Sequence, residues 1–121
     1  MMDERKSAAN EARPKVGFWR DPREPRTFQF PDPQDAVDPN WDPTERAAVI
    51  AYLRAGRPDI ALCGHSWCRF NCGIPKWDMG AWDLTDDVYT WPEGFVHYLE
   101  KHDVKPPEEF LEHVRRQLQN R

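Results

Sequence analysis

The clearest hydrophobic rhythm in the chain lies between residues 42 and 56. Val49, Ile50 and Leu53 fall with Arg46 on one side of a helical wheel, flanked by Ala47 and Tyr52, and so form the narrow apolar stripe of an amphipathic helix. The ends of that segment carry matching signals. Asp42 can cap the first turn, Pro43 suits a position whose amide has no partner, Glu45 completes a capping box, and Gly56 offers a left-handed stop. From Ile60 to Phe70 the pattern predicts a short strand running into a tight cysteine turn, and residues 82–84 and 88–91 predict a hairpin around Thr85, Asp86 and Asp87. Thr90 and Glu93 stand three apart around Pro92, which predicts a capped helix reaching about Lys101 with Phe95 and Leu99 on one face. A last helix is expected after Pro106 and Pro107, with Glu108 and Glu109 in its positive first turn and Phe110, Leu111, Val114 and Leu118 turned inward.

No such period runs through the first 41 residues, which hold six of the twelve prolines. Proline fixes φ and lacks a donor, so this stretch is expected to be extended or turning. It is too rich in Phe18, Trp19, Phe28, Phe30 and Trp41 for a disordered tail. The chain therefore divides into a flexible N-terminus over residues 1–15, an extended aromatic arm over 16–41 pinned to the domain or to a partner, and a single compact domain over 42–121.

At 121 residues there is room for one small core, which buries only roughly two-thirds of the unfolded surface and gains from an added staple. The opening residues lack the apolar stretch of a secretory signal and no run is long enough to span a bilayer, so the expected location is the cytoplasm, with no membrane partner. The net charge is −4, and neither half of the chain is basic: ten Lys and Arg face eleven Asp and Glu up to residue 62, and seven face ten beyond it. A protein that works by neutralising phosphates carries a basic excess, which disfavours nucleic acid as partner.

Candidate chemistry gathers around the cysteines. All three lie within ten residues, at Cys63, Cys68 and Cys72, and the helix after Thr90 brings His97 and His102. The gap between Cys68 and Cys72 and that between the two histidines both fit structural zinc, whose four tetrahedral ligands are thiolate and imidazole. Cys63 and His65 are reserve ligands. The 24 residues between Cys72 and His97 exceed the loop of about 12–15 in a standard DNA-reading finger. On an ideal helix two residues five apart point about 140° from each other, so both histidines reach one ion only if the last turn tightens or His102 lies beyond the helix end. Other readings remain beside this one. A disulfide is disfavoured by a reducing compartment and an odd cysteine count, whereas Cys63 and Cys68 could instead be small core hydrophobes.

The motifs of zinc deaminases, zincin proteases, nucleophile elbows and phosphate loops are absent from the sequence. Asp86, Asp87 and Glu93, three of the acids between Cys72 and His97, are the candidates for an acid or base, and turn formation or helix capping accounts for them. Cys63 and His65 lack the third group that would orient a nucleophile and base. The stretch Ser66-Trp67-Cys68-Arg69, then Asp83-Leu84-Thr85-Asp86, Tyr89-x-Trp91-Pro92-Glu93-Gly94, His97-Tyr98 and His102-x-Val104 resembles a group of short bacterial proteins with no established activity. The likeness extends to Pro107 and Phe110 and, upstream, to Pro39-x-Trp41-Asp42-Pro43-x-Glu45-Arg46, about two-thirds of the chain, with Asp87 standing where the pattern has glycine. It implies common ancestry and names no catalytic residue. The expected architecture is an α+β domain, with a small zinc-binding ββα, treble-clef-like core between flanking helices. Its expected role is a protein-interaction or regulatory module, with a small zinc-dependent hydrolase-like enzyme as the alternative.

Overall fold

A computed structural model of the chain describes residues 13–61 and 67–120. Among the described residues, three α-helices and a three-stranded antiparallel sheet make an α+β fold: α1 Pro43–Arg54, β1 Arg57–Ala61, β2 Trp82–Thr85, β3 Thr90–Pro92, α2 Phe95–Lys101 and α3 Glu108–Gln119, with short 3-10 turns at Pro25–Thr27, Pro33–Ala36 and Lys76–Met79. The strand order is β1-β2-β3.

Helix α1 starts as its sequence demands, with the Asp42 carboxylate accepting from the Thr44 amide at 3.2 Å. Its other two punctuation marks act differently. Glu45 forms no capping box: it accepts from the Trp41 indole at 3.2 Å and from Arg115 on α3 at 2.8 Å, because a salt bridge between helices outcompetes a local amide. Gly56 does not adopt a left-handed φ, and the glycine is required for space, since a Cβ there would sit 2.6 Å from the Trp91 ring.

The strand expected from Ile60 begins earlier, at Arg57, and the described chain resumes at Trp67 in a turn, so no strand runs to Phe70. Strand β1 pairs with β2, its register shifting at a bulge between Pro58 and Ile60. The hairpin of β2 and β3 pairs Leu84 with Trp91 and Thr85 with Thr90. Asp87 occupies its turn with a φ of +77°, the backbone region that favours glycine. Thr90 and Pro92 belong to β3 and so cap nothing. Helix α2 begins from Gly94 without a side-chain cap, and Glu93 instead accepts from the amides of Ala81 and Trp82 at 3.0 and 2.9 Å, tying the entry of β2 to the exit of β3.

The core lies between the sheet and the helices, where Leu53, Trp91, Phe95, Leu99, Phe110 and Leu111 are fully buried. The Trp91 indole donates to the carbonyl of Leu53 at 3.2 Å, a helix-end acceptor that also takes the Gly56 amide. Beside it a polar latch joins three elements: Asp86 of the hairpin turn accepts from the Tyr52 hydroxyl of α1 and lies 2.6 Å from His113 Nε2 of α3. The arm packs on its own domain. Val16 donates to the Thr90 carbonyl and Thr90 to that of Pro14, while Val37 bridges Val104. Trp19 and Trp41 are buried, whereas Phe28 is exposed.

Asp83 stands out on the arm side of the sheet. It is buried, its Oδ1 has no hydrogen-bond partner among the described residues, and burial pushes its carboxyl up to about 6, with Lys15 opposing the rise and Asp59 adding to it. A carboxyl raised above its unfolded value of about 3.9 costs stability at neutral pH, and the cost is relieved as the pH falls from about 6 towards 4, where the folded chain binds a proton that the unfolded chain does not. Asp83→Asn is therefore expected to stabilise the protein by about 1–2 kcal/mol at pH 7.5, with the gain shrinking towards zero near pH 4.5, as read by urea denaturation at both values. Gly56→Ala should cost about 1–3 kcal/mol by the same measurement, because the new methyl overpacks against Trp91.

Candidate metal centre

Two segments that are separate in sequence meet at one point. Cys68 and Cys72 come from the turn before β2, His97 from within α2, and His102 from the residue that ends it. One ligand atom from each lies within 4.8 Å of the others. Cys68 Sγ is 3.3 Å from His102 Nε2, Cys72 Sγ is 3.3 Å from His97 Nε2, and the two Nε2 atoms are 3.2 Å apart. Zinc bonds of about 2.3 Å to sulfur and 2.0 Å to nitrogen place tetrahedral ligand atoms roughly 3.3–3.8 Å from one another, so these four could hold a metal ion with little adjustment.

The local sequence shapes both halves of the cluster. The Asn71 amide donates to the Cys68 carbonyl at 3.0 Å and closes a turn, and left-handed φ values of +52° at Asn71 and +85° at Gly73 flank Cys72. Asparagine and glycine are the residues that tolerate that region best. The histidines meet because His102 leaves the helix, with φ −128° and ψ 10°, and Asp103 then turns the chain at φ +55°. An ion pair of 3.0 Å to Arg46 holds Asp103 in place. The His102 ring stacks on Phe70 at 4.4 Å, which fixes its plane.

Burial is graded across the cluster. Cys68 is 4% exposed, the histidines are half-buried and Cys72 is exposed, with a cleft opening past it to Lys101. Burial pushes the Cys68 thiol up, although the amides of Phe70 and Cys72 oppose this by bonding its sulfur. Burial lowers His97, with the neighbouring His102 adding to the effect, and burial lowers His102 as well. Both imidazoles thus favour the neutral form that a metal requires.

A second layer of side chains positions the turn. The Tyr98 hydroxyl accepts from the Arg69 amide at 3.0 Å and donates to the Trp67 carbonyl, and burial pushes its own ionisation up to about 12. The guanidinium groups of Arg23 and Arg69 lie over the Trp67 ring, 4.1 and 4.8 Å from its centre, while its indole donates to Asp21 at 3.2 Å. Spacing rules alone do not find Asp21, Arg23 or Tyr98, because they act from the arm and from the helix face next to His97. Trp67, Arg69 and Tyr98 do lie in the Ser66-Trp67-Cys68-Arg69 and His97-Tyr98 stretches of the expected resemblance.

The reserve ligands Cys63 and His65 lie outside the described residues. Asp86 is taken up by the latch to Tyr52 and His113, Asp87 sits in the hairpin turn beside Arg57, and Glu93 is held by two amides, so all three acids named from the sequence have partners elsewhere in the fold. Fold and cluster together define the class: a small α+β protein whose Cys and His side chains could hold a metal ion. Compared with protein-family models, with curated proteins and with solved structures, the chain finds no match in any of the three. No helix among the described residues is long and apolar enough to cross a membrane.

Removing the Tyr98 hydroxyl should loosen the turn without touching a ligand atom. Tyr98→Phe is expected to weaken the cluster's hold on an added divalent metal ion about tenfold, in the range typical of groups that orient ligands, when a chromophoric chelator competes for the ion. Unchanged affinity would mean that the turn is held without this hydroxyl.

Proposed function

We propose that the protein is a structural-zinc module in which Cys68, Cys72, His97 and His102 bind one Zn2+ and fasten the cysteine turn to helix α2. The observation that carries this reading is the convergence of four ligand atoms of the zinc-preferring types from two distant segments. The order of cysteine turn, hairpin and histidine helix suits a treble-clef-like arrangement. Four protein ligands fill a tetrahedral shell and leave no position for substrate, which favours a structural over a catalytic ion. The engagement of Asp86 and Glu93 elsewhere supports the same choice, since a zinc hydrolase needs an acid or base beside the metal.

The role is that of a protein-interaction or regulatory module in a reducing compartment such as the cytoplasm, where thiolates stay available. Ile60, Trp82 and Trp77 are 55%, 43% and 65% exposed, which supports a protein partner more than a nucleic acid. The likeness to short bacterial proteins is read as common ancestry in the same light.

Protein purified without chelator should contain about one equivalent of zinc by elemental analysis. Because an unfolded chain has no preformed site, metal binding is partly folding energy. Cys68→Ser and His97→Ala should each lose the ion and lower stability by more than the roughly 0.5 kcal/mol of a surface change. Absence of metal from the purified protein, or full stability of Cys68→Ser, overturns the reading. Loss of metal in Cys63→Ser with retention in His102→Ala would instead put Cys63 into the ligand set in place of His102.

A further inference from the structure

The two sulfurs of the cluster meet solvent very differently. Cys68 is 4% exposed, whereas Cys72 is exposed and lines a cleft of about 480 Å³ together with both histidines and Lys101. A small solute that enters the cleft therefore reaches one sulfur and is kept from the other. Sulfur oxidation follows thiolate character and exposure, and a metal-bound cysteine is a thiolate. Cys72 combines both conditions and Cys68 lacks the second.

The exposed sulfur also has a second sulfur at hand. The two Sγ atoms lie within 4.8 Å of each other, and the backbone amide of Cys72 bonds the Cys68 sulfur, which keeps that sulfur against the residue it would join. A disulfide draws its sulfurs to about 2 Å, and here both belong to one turn, so the closure displaces no helix. An accessible thiolate beside a protected partner is the arrangement of a redox-sensing cysteine with its resolving cysteine.

We propose that Cys72 is a site of oxidation by hydroperoxides and Cys68 its resolving thiol, so that oxidation expels the metal ion and unfastens the cysteine turn from α2. This rests on the structural-zinc reading and adds the chemistry that regulates it. In the first step the Cys72 sulfur attacks one oxygen of hydrogen peroxide, the O–O bond breaks, a sulfenic acid forms on Cys72 and hydroxide leaves. In the second the Cys68 thiolate attacks the Cys72 sulfur, the S–S bond forms, the S–O bond breaks and a second hydroxide leaves. Two thiolates and one peroxide thus give one disulfide and two hydroxides, each sulfur losing one electron and each peroxide oxygen gaining one. A disulfide supplies no thiolate, which leaves His97 and His102 as the remaining ligands, and the ion departs. A dithiol reductant reverses the bond by exchange.

The test uses the full chain as purified, with its zinc measured before any oxidant is added. Hydrogen peroxide is then titrated in while a chromophoric indicator reads released zinc, with dimedone present in a parallel sample to trap sulfenic acid. Chymotrypsin cuts after Trp67 and trypsin after Arg69, so Cys63, Cys68 and Cys72 fall on separate peptides and the bridge is located by mass. The expected result is loss of about one equivalent of zinc in step with a Cys68–Cys72 disulfide, dimedone on Cys72 and not on Cys68, and return of the ion when dithiothreitol and zinc are added. All of these are read on the unsubstituted chain, so no variant has to fold. Absence of zinc before oxidation overturns both this proposal and the structural-zinc reading. Zinc retained at millimolar peroxide, zinc released without a disulfide or with a bridge to Cys63, or dimedone on Cys68 overturns the switch alone and leaves the structural site standing.

Discussion

Helix α2 is the element on which the rest of the chain depends, because it is buried from several directions at once. Its seven residues include Phe95, Val96, Tyr98 and Leu99, all buried. Phe95 meets Phe110 of α3 on one side and the edge of Trp19 on the other, and a side chain at Gly17 would collide with its ring. Helix α1 packs along it as well. A helix of two turns has little stability of its own, so these contacts hold it rather than its propensity. In return it presents Tyr98, His97 and His102 to the cysteine turn.

That dependence explains how an irregular chain stays ordered. The arm and residues 67–81 have few ladder hydrogen bonds, and each must be fastened by individual side chains. The arm is fastened at both ends, by the pairing of Pro14 and Val16 with Thr90 and by that of Val37 with Val104. The cysteine turn is fastened by the Tyr98 hydroxyl and by Trp67, whose ring meets two arginines and whose indole donates to Asp21. The same residues that hold the turn in place also bring Cys68 and Cys72 to the histidines, so positioning of the cluster and anchoring of the arm are one construction.

The acids show how tertiary contacts reassign side chains that local rules treat as caps. Glu45 and Glu93 both sit at positions where a capping box is plausible, yet one pairs with Arg115 and Trp41 and the other collects the amides of Ala81 and Trp82. A carboxylate gains more from two fixed donors or a guanidinium than from one fraying amide. Asp86, which reads as a turn residue, does stabilise its turn through the amides of Val88 and Tyr89, and its second oxygen gathers Tyr52 and His113.

What the sequence by itself determined is whatever depends on neighbours a few residues away. The stripe of α1 with its Asp42 cap, the hairpin around Thr85 to Asp87, the amphipathic α3 and the spacing within each of the pairs Cys68–Cys72 and His97–His102 are of this kind, since periodicity and spacing are local properties. Only the tertiary structure decided the bounds of β1, which starts at Arg57 rather than Ile60, and the need for glycine at position 56, which follows from a tryptophan 35 residues away. It also decided that His113 would be buried against Asp86, and that Trp19 would line a cavity with its indole unmatched. Such contacts join residues that nothing in the linear order relates, and they form because a small core must draw on the arm, the turn and all three helices to exclude water.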